Sequence, residues 1–90
     1  MMRLGVISIV IEGDRSVAET VQHILSSFGH IIIGRMGLPN HADGVYLISL
    51  MVRGTNEQIS ALSGKIGKLP GVKIKSAVTA INTEIPEEEK

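Results

Sequence analysis

Apolar residues follow two rhythms along this 90-residue chain. The stretch "VISIVIEGD", Val6 to Asp14, is an apolar run with one Ser inside it, closed by Gly and a short polar residue. It returns 41 residues later as "LISLMVRGT", Leu47 to Thr55. Runs of Val and Ile bounded by Gly favour strands. After each run the rhythm changes. Val17, Val21, Ile24, Leu25 and Phe28, then Ile59, Leu62, Ile66 and Leu69, recur at the spacing of one helix face. Gly29 is placed to end the first helix, and Thr55 with Gln58 has the spacing of a capping box at the start of the second. A short apolar run follows each helix, "HIIIGRMGL" in the first half and "VKIKSAV" in the second.

Each half therefore reads strand, helix, strand, and the turn-rich "PNHADG" joins them. The expected architecture is α+β: a ferredoxin-like βαββαβ sandwich, with a four-stranded antiparallel sheet in order 4-1-3-2 and both helices on one face. In the two echoing strands, Ile7, Ile9 and Ile11 alternate with Val6, Ser8 and Val10, and Ile48, Leu50 and Val52 alternate with Leu47, Ser49 and Met51. Both faces are largely apolar, whereas two helices cover only one. A sheet with a wet second face alternates apolar and polar residues, so another surface is expected over this one. Val6, Ser8, Val10, Leu47, Ser49 and Met51 are its expected centre, and Lys73 and Lys75 on the last strand mark a charged rim. That is the composition of a protein interface.

Charge changes this picture only at the end of the chain. Nine basic residues balance nine acidic ones, but four of the acids, Glu84, Glu87, Glu88 and Glu89, sit in the last seven residues. The domain is expected to span 1–81 and the acidic stretch 82–90 to be disordered. With no cysteine, disulfide scaffolds, thiolate metal sites and thiol enzymes are excluded. No apolar run is long enough to span a bilayer and no signal peptide is read, so a cytoplasmic protein without membrane contact is expected.

The segments "RMGLP", Arg35 to Pro39, "VYLISLMVRGT", Val45 to Thr55, and above all "ISALSGKIGKLPGVKIKSA", Ile59 to Ala77, resemble the small regulators of the iron-only ([FeFe]) hydrogenase system. The likeness runs from about Leu4 to Ala77. It implies an ACT-like ferredoxin fold, related in shape to the ligand-binding C-terminal domain of the nickel-responsive repressor, and a regulatory or accessory role beside the hydrogenase maturation genes. It also implies work as a homo-oligomer, a dimer or tetramer, that binds a small effector or a hydrogenase-system protein.

Direct nucleic-acid binding is not expected. No ribbon-helix-helix or helix-turn-helix segment is read, and Phe28 and Tyr46 are the only aromatics, too few to stack bases on the central strands. Catalysis is not expected either: "EGDRS" does not resemble the phosphate-cradling loop of acylphosphatases, which share this topology, and no Ser-His pairing is legible. No cofactor is expected. An ACT-like effector site would lie at the turn after the first strand, Glu12, Gly13 and Asp14; Arg35, between glycines on a strand, is a further candidate that either anchors a partner's carboxylate or simply snorkels. The acids at the turn favour an amine-bearing ligand over an anion. Against this, Gly13 and Gly54 read first as turn residues at positive φ, and Gly64 and Gly67 as allowing close packing. The alternative function is a nickel-, iron- or zinc-responsive sensor, with His30, His41 and Asp43 as its candidate ligands. No histidine pair has the spacing that preassembles a metal site, and His23 falls on the far side of its helix from the apolar stripe.

Overall fold

A computed structural model describes residues 2–40 and 43–79. Six elements follow one another: β1 (Arg3–Ile11), α1 (Arg15–Ser27), β2 (Ile32–Asn40), β3 (Val45–Gly54), α2 (Asn56–Gly67) and β4 (Val72–Val78). The strands form one sheet in the order β2-β3-β1-β4, which is 4-1-3-2 counted from the other edge. All three pairings are antiparallel. The echoing runs are the two central strands, β1 and β3. His41, Ala42 and the acidic stretch 82–90 lie outside the described residues.

Period-two alternation divides each central strand between two environments. Ile7, Ile9 and Ile11 of β1 and Ile48, Leu50 and Val52 of β3 are buried with Val21 and Leu25 of α1 and Ile59, Leu62 and Ile66 of α2. Burying each such side chain contributes roughly 1.5–3 kcal/mol. Ala18 of α1 and Ile31, ahead of β2, complete the cluster.

Local chemistry sets the helix ends. Asp14 caps α1 by accepting from the backbone N–H groups of Ser16 and Val17, and the capping box at α2 is complete, with Gln58 N–H donating to Thr55 Oγ1 and Thr55 N–H to Gln58 Oε1. Both devices satisfy helix donors that would otherwise have no partner.

The glycines depart from their sequence reading. Only Gly44 and Gly71 adopt positive φ among the described residues. Gly29 is therefore not a left-handed cap: α1 ends at Ser27, and the N–H groups of Phe28 and Gly29 donate to carbonyls three or four residues back. Gly13 and Gly54 are small for reasons of space. A Cβ on Gly13 would lie 3.0 Å from Val17 Cγ2, and one on Gly54 would lie 2.9 Å from Gln58 Oε1. Gly64 has nothing within 4 Å of a Cβ, so close packing does not account for it; on Gly67 the nearest atom would be Ile74 Cγ2, at an ordinary 3.4 Å.

Candidate functional site

The second face of the sheet carries the feature that the fold leaves unexplained. Val6 sits opposite Met51, Ser8 opposite Ser49 and Val10 opposite Leu47 on the central strands. The register continues these rows outward to Ala77, Lys75 and Lys73 on β4 and to Gly34, Met36 and Leu38 on β2. The apolar members of these rows stay accessible: Met36 is 70% exposed, Leu38 58% and Met51 46%, against 0% for Leu50 on the other side of β3. A register shift between Ile32 and Gly34 puts one extra residue into β2, and that residue, Ile33, is 62% exposed. Bulges commonly redirect a side chain in this way.

Two hollows lie along this face. One of about 500 Å³ is lined by Leu4, Val6, Ile33, Met51 and Ala77 among others. The second, of about 340 Å³, is bounded by Ser8, Val10, Met36, Leu38, Leu47 and Ser49 among others. The small residues Ala77, in the first hollow, and Ser8 and Ser49, in the second, lie between larger apolar side chains. Charge is confined to the margins. Lys73 Nζ lies 3.4 Å from Glu12 Oε1, an exposed pair worth about 0–1 kcal/mol.

The six central positions were legible in the sequence; Ile33, Met36 and Leu38 were missed. Their signal was present as "IGRMGL", but Gly34 and Gly37 interrupt the alternation and the bulge shifts its phase.

The turn after β1 is a closed structural joint. Glu12 N–H donates to the Gly71 carbonyl at 2.6 Å, and a Cβ on Gly71 would approach Gly13 N to 2.9 Å. The Asp14 carboxylate is engaged by Ser16 Oγ at 2.6 Å, Ser16 N–H at 3.1 Å and Val17 N–H at 3.3 Å. The Ser16 hydroxyl, then the Val17 N–H, lowers its pKa below the usual 3.8. Because the folded value is depressed, this contribution to stability is present above the unfolded pKa and disappears as pH falls through the folded one. Asn caps as well as Asp and does not titrate. Asp14→Asn is thus expected to keep the melting temperature near neutral pH and to lose less of it below about pH 4 than the wild type does, as thermal melts against pH would show.

Arg35 does not join this turn within one chain. Its Nη2 donates to Gln22 Oε1 of α1 at 2.7 Å. In the register Arg35 is level with Leu50 and hence with Ile7, four residues before Ile11. It is therefore roughly 13 Å along the strand direction from the end of β1, and two strands to the side.

The metal candidates are also dispersed. His30, stacked on Phe28 with ring centroids 6.4 Å apart, precedes β2, whereas Asp43 follows it. Nine extended residues span roughly 30 Å, so one chain does not bring these two together. His41 lies outside the described residues. Among the described residues, no group of three or more His, Cys, Asp or Glu side chains could hold a metal ion. No helix among them is long and apolar enough to cross a membrane.

Comparison with known proteins places this architecture. The chain is similar to the uncharacterized protein TM1266 of Thermotoga maritima, with 31% identity, TM-score 0.83, and coverage of 87% of this chain and 98% of that one. It is similar to the ACT domain of the GTP pyrophosphokinase of Chlorobium tepidum, with 25% identity, TM-score 0.68, and coverage of 82% and 96%. The fold also recurs in a formyltetrahydrofolate deformylase of Pseudomonas syringae, at 13% identity and TM-score 0.64, where it matches 90% of this chain but 29% of that enzyme. No curated protein matches the chain in sequence. The model of the TM1266-like family matches residues 3–76. The chain belongs to this family of proposed iron-only hydrogenase system regulators, and its fold is ACT-like.

Proposed function

We propose that this protein is a non-catalytic regulatory or accessory component of the iron-only hydrogenase system, acting in the cytoplasm as an ACT-like homo-oligomer that binds a small effector or a hydrogenase-system protein. The observation that carries the reading is the apolar face of the sheet that the described residues leave exposed. A monomer rarely exposes a contiguous apolar patch beyond a few hundred Å². Four strands at about 4.8 Å spacing and seven to nine residues at about 3.3 Å give this face roughly 450–570 Å² in projection. Accessible area exceeds projection, so the face approaches the roughly 800 Å² per partner of a standard interface.

The other parts of the reading draw on the family and on likeness. The family's regulatory assignment supports a role without catalysis, and the likeness to an ACT domain supports effector binding. Static light scattering at micromolar concentration is expected to give a mass at least twice the 9.6 kDa of one chain. A concentration-independent 9.6 kDa species would overturn the homo-oligomer. A thermal-shift screen of amino acids, nucleotides and divalent metals addresses the effector, since a ligand at 100 times its dissociation constant stabilises the native state by about 2.7 kcal/mol. A rise only with nickel, iron or zinc, lost in His41→Ala, would favour the metal-sensor alternative.

A further inference from the structure

From the chemistry of the open face we infer that Met36 and Met51 form an oxidation site that controls its occupation by a second copy of the chain: conversion of their thioethers to sulfoxides by a hydroperoxide releases the partner. The inference rests on the homo-oligomer proposed above and names its regulation.

The chain has no cysteine, so methionine carries all of its sulfur chemistry. Of the four methionines, Met1 and Met2 precede β1, and the other two lie on this face. Met36 is opposite Ser49, and Met51 is two residues further along the same strand. The pair are diagonal neighbours, with Cα atoms roughly 7–8 Å apart. Met51 lies across Gly34: a Cβ on that glycine would come within 2.9 Å of Met51 Cε. The Met51 methyl thus occupies space that a side chain at position 34 would need. The other apolar side chains exposed here, Val6, Ile33, Leu38 and Leu47, are hydrocarbons that a peroxide does not attack under the same conditions.

In the oxidation, a sulfur lone pair attacks one peroxide oxygen, an S–O bond forms and the O–O bond breaks. Sulfur loses two electrons, and with hydrogen peroxide the departing hydroxide takes up the proton of the new S–OH group and leaves as water. The product is a polar, chiral sulfoxide in place of a flexible apolar group. In the free subunit water solvates the new oxygen. In the assembly it is buried against the partner's apolar surface, so dissociation is favoured. By the same linkage a partner shields the sulfurs, so their oxidation slows as protein concentration rises. Reduction by methionine sulfoxide reductase, with two thiols giving a disulfide and water, restores the thioether.

The test uses the full chain treated with hydrogen peroxide, with sulfoxide at each methionine followed by peptide mass spectrometry, assembly by light scattering and fold by far-UV circular dichroism. The expected result is a rise of at least tenfold in the dissociation constant with the dichroism unchanged, reversed by the two epimer-specific reductases together. Met36→Leu/Met51→Leu, which keeps volume and apolarity, is expected to assemble like the wild type and to ignore peroxide. An assembled wild type that keeps its dissociation constant with both sulfoxides in place overturns this inference alone. So does a leucine double variant that dissociates equally on oxidation. An untreated wild type that is monomeric overturns the homo-oligomer first and this inference with it.

Discussion

Met51→Asp is expected to separate the subunits and leave each one folded. Met51 is 46% exposed in the subunit, so an aspartate there is hydrated while the protein is free and adds no charge to the core. In the assembly the same carboxylate would be buried among Val6, Leu47 and their counterparts, with Arg53 two residues along β3 as the neighbouring cation on that face. Taking a charge out of water into an apolar interface costs several kcal/mol even with a cation nearby, and about 3 kcal/mol already raises a dissociation constant by more than a hundredfold. Light scattering should report 9.6 kDa at concentrations where the wild type is larger, with an unchanged dichroism spectrum. An unchanged mass would remove Met51 from the interface.

Leu50→Ala, one residue back, is expected to have the opposite effect and to destabilise the subunit itself. Leu50 is 0% exposed, faces the helices and lies opposite Ile7, which is also 0% exposed. Its truncation removes transfer energy and leaves a cavity that the surrounding sheet and helices fill incompletely, a loss of about 2–5 kcal/mol. In a domain of this size each kcal/mol moves the melting temperature by about 4–8 °C, so a fall of roughly 8–40 °C is expected at matched concentration. A fall of only a few degrees would mean that the site collapses around the smaller side chain or that Leu50 is not packed as described. Neighbours on one strand thus have separable phenotypes because successive side chains point to opposite faces of the sheet.

Order, type and approximate bounds of the elements were legible because they depend on local regularities. Val and Ile runs bounded by Gly are β1 and β3, apolar spacing of three and four residues is α1 and α2, and Thr55 with Gln58 is a capping box. The site was legible only where alternation was unbroken. Val6, Val10, Leu47 and Met51 share the face assigned to them, whereas Ile33, Met36 and Leu38 were hidden by two glycines and a bulge. The separation of Arg35 from the turn at Glu12 to Asp14 depends on strand register, and its partner Gln22 comes from another element, so neither was legible.

By itself, the sequence determined that both faces of the central strands are largely apolar, since period-two alternation is a property of consecutive residues. It also determined the capping at α2, where donor and acceptor are three residues apart. Only the folded chain shows that a Cβ would be crowded at 13 and 54, where Pro70 O joins Val17 around the one and Ile31 joins Gln58 around the other. Tertiary structure also decided which side chains share a row on the open face. Met36, Ser49, Ser8 and Lys75 come from four strands and meet only through antiparallel pairing, and a one-residue slip would have sent each to the other face.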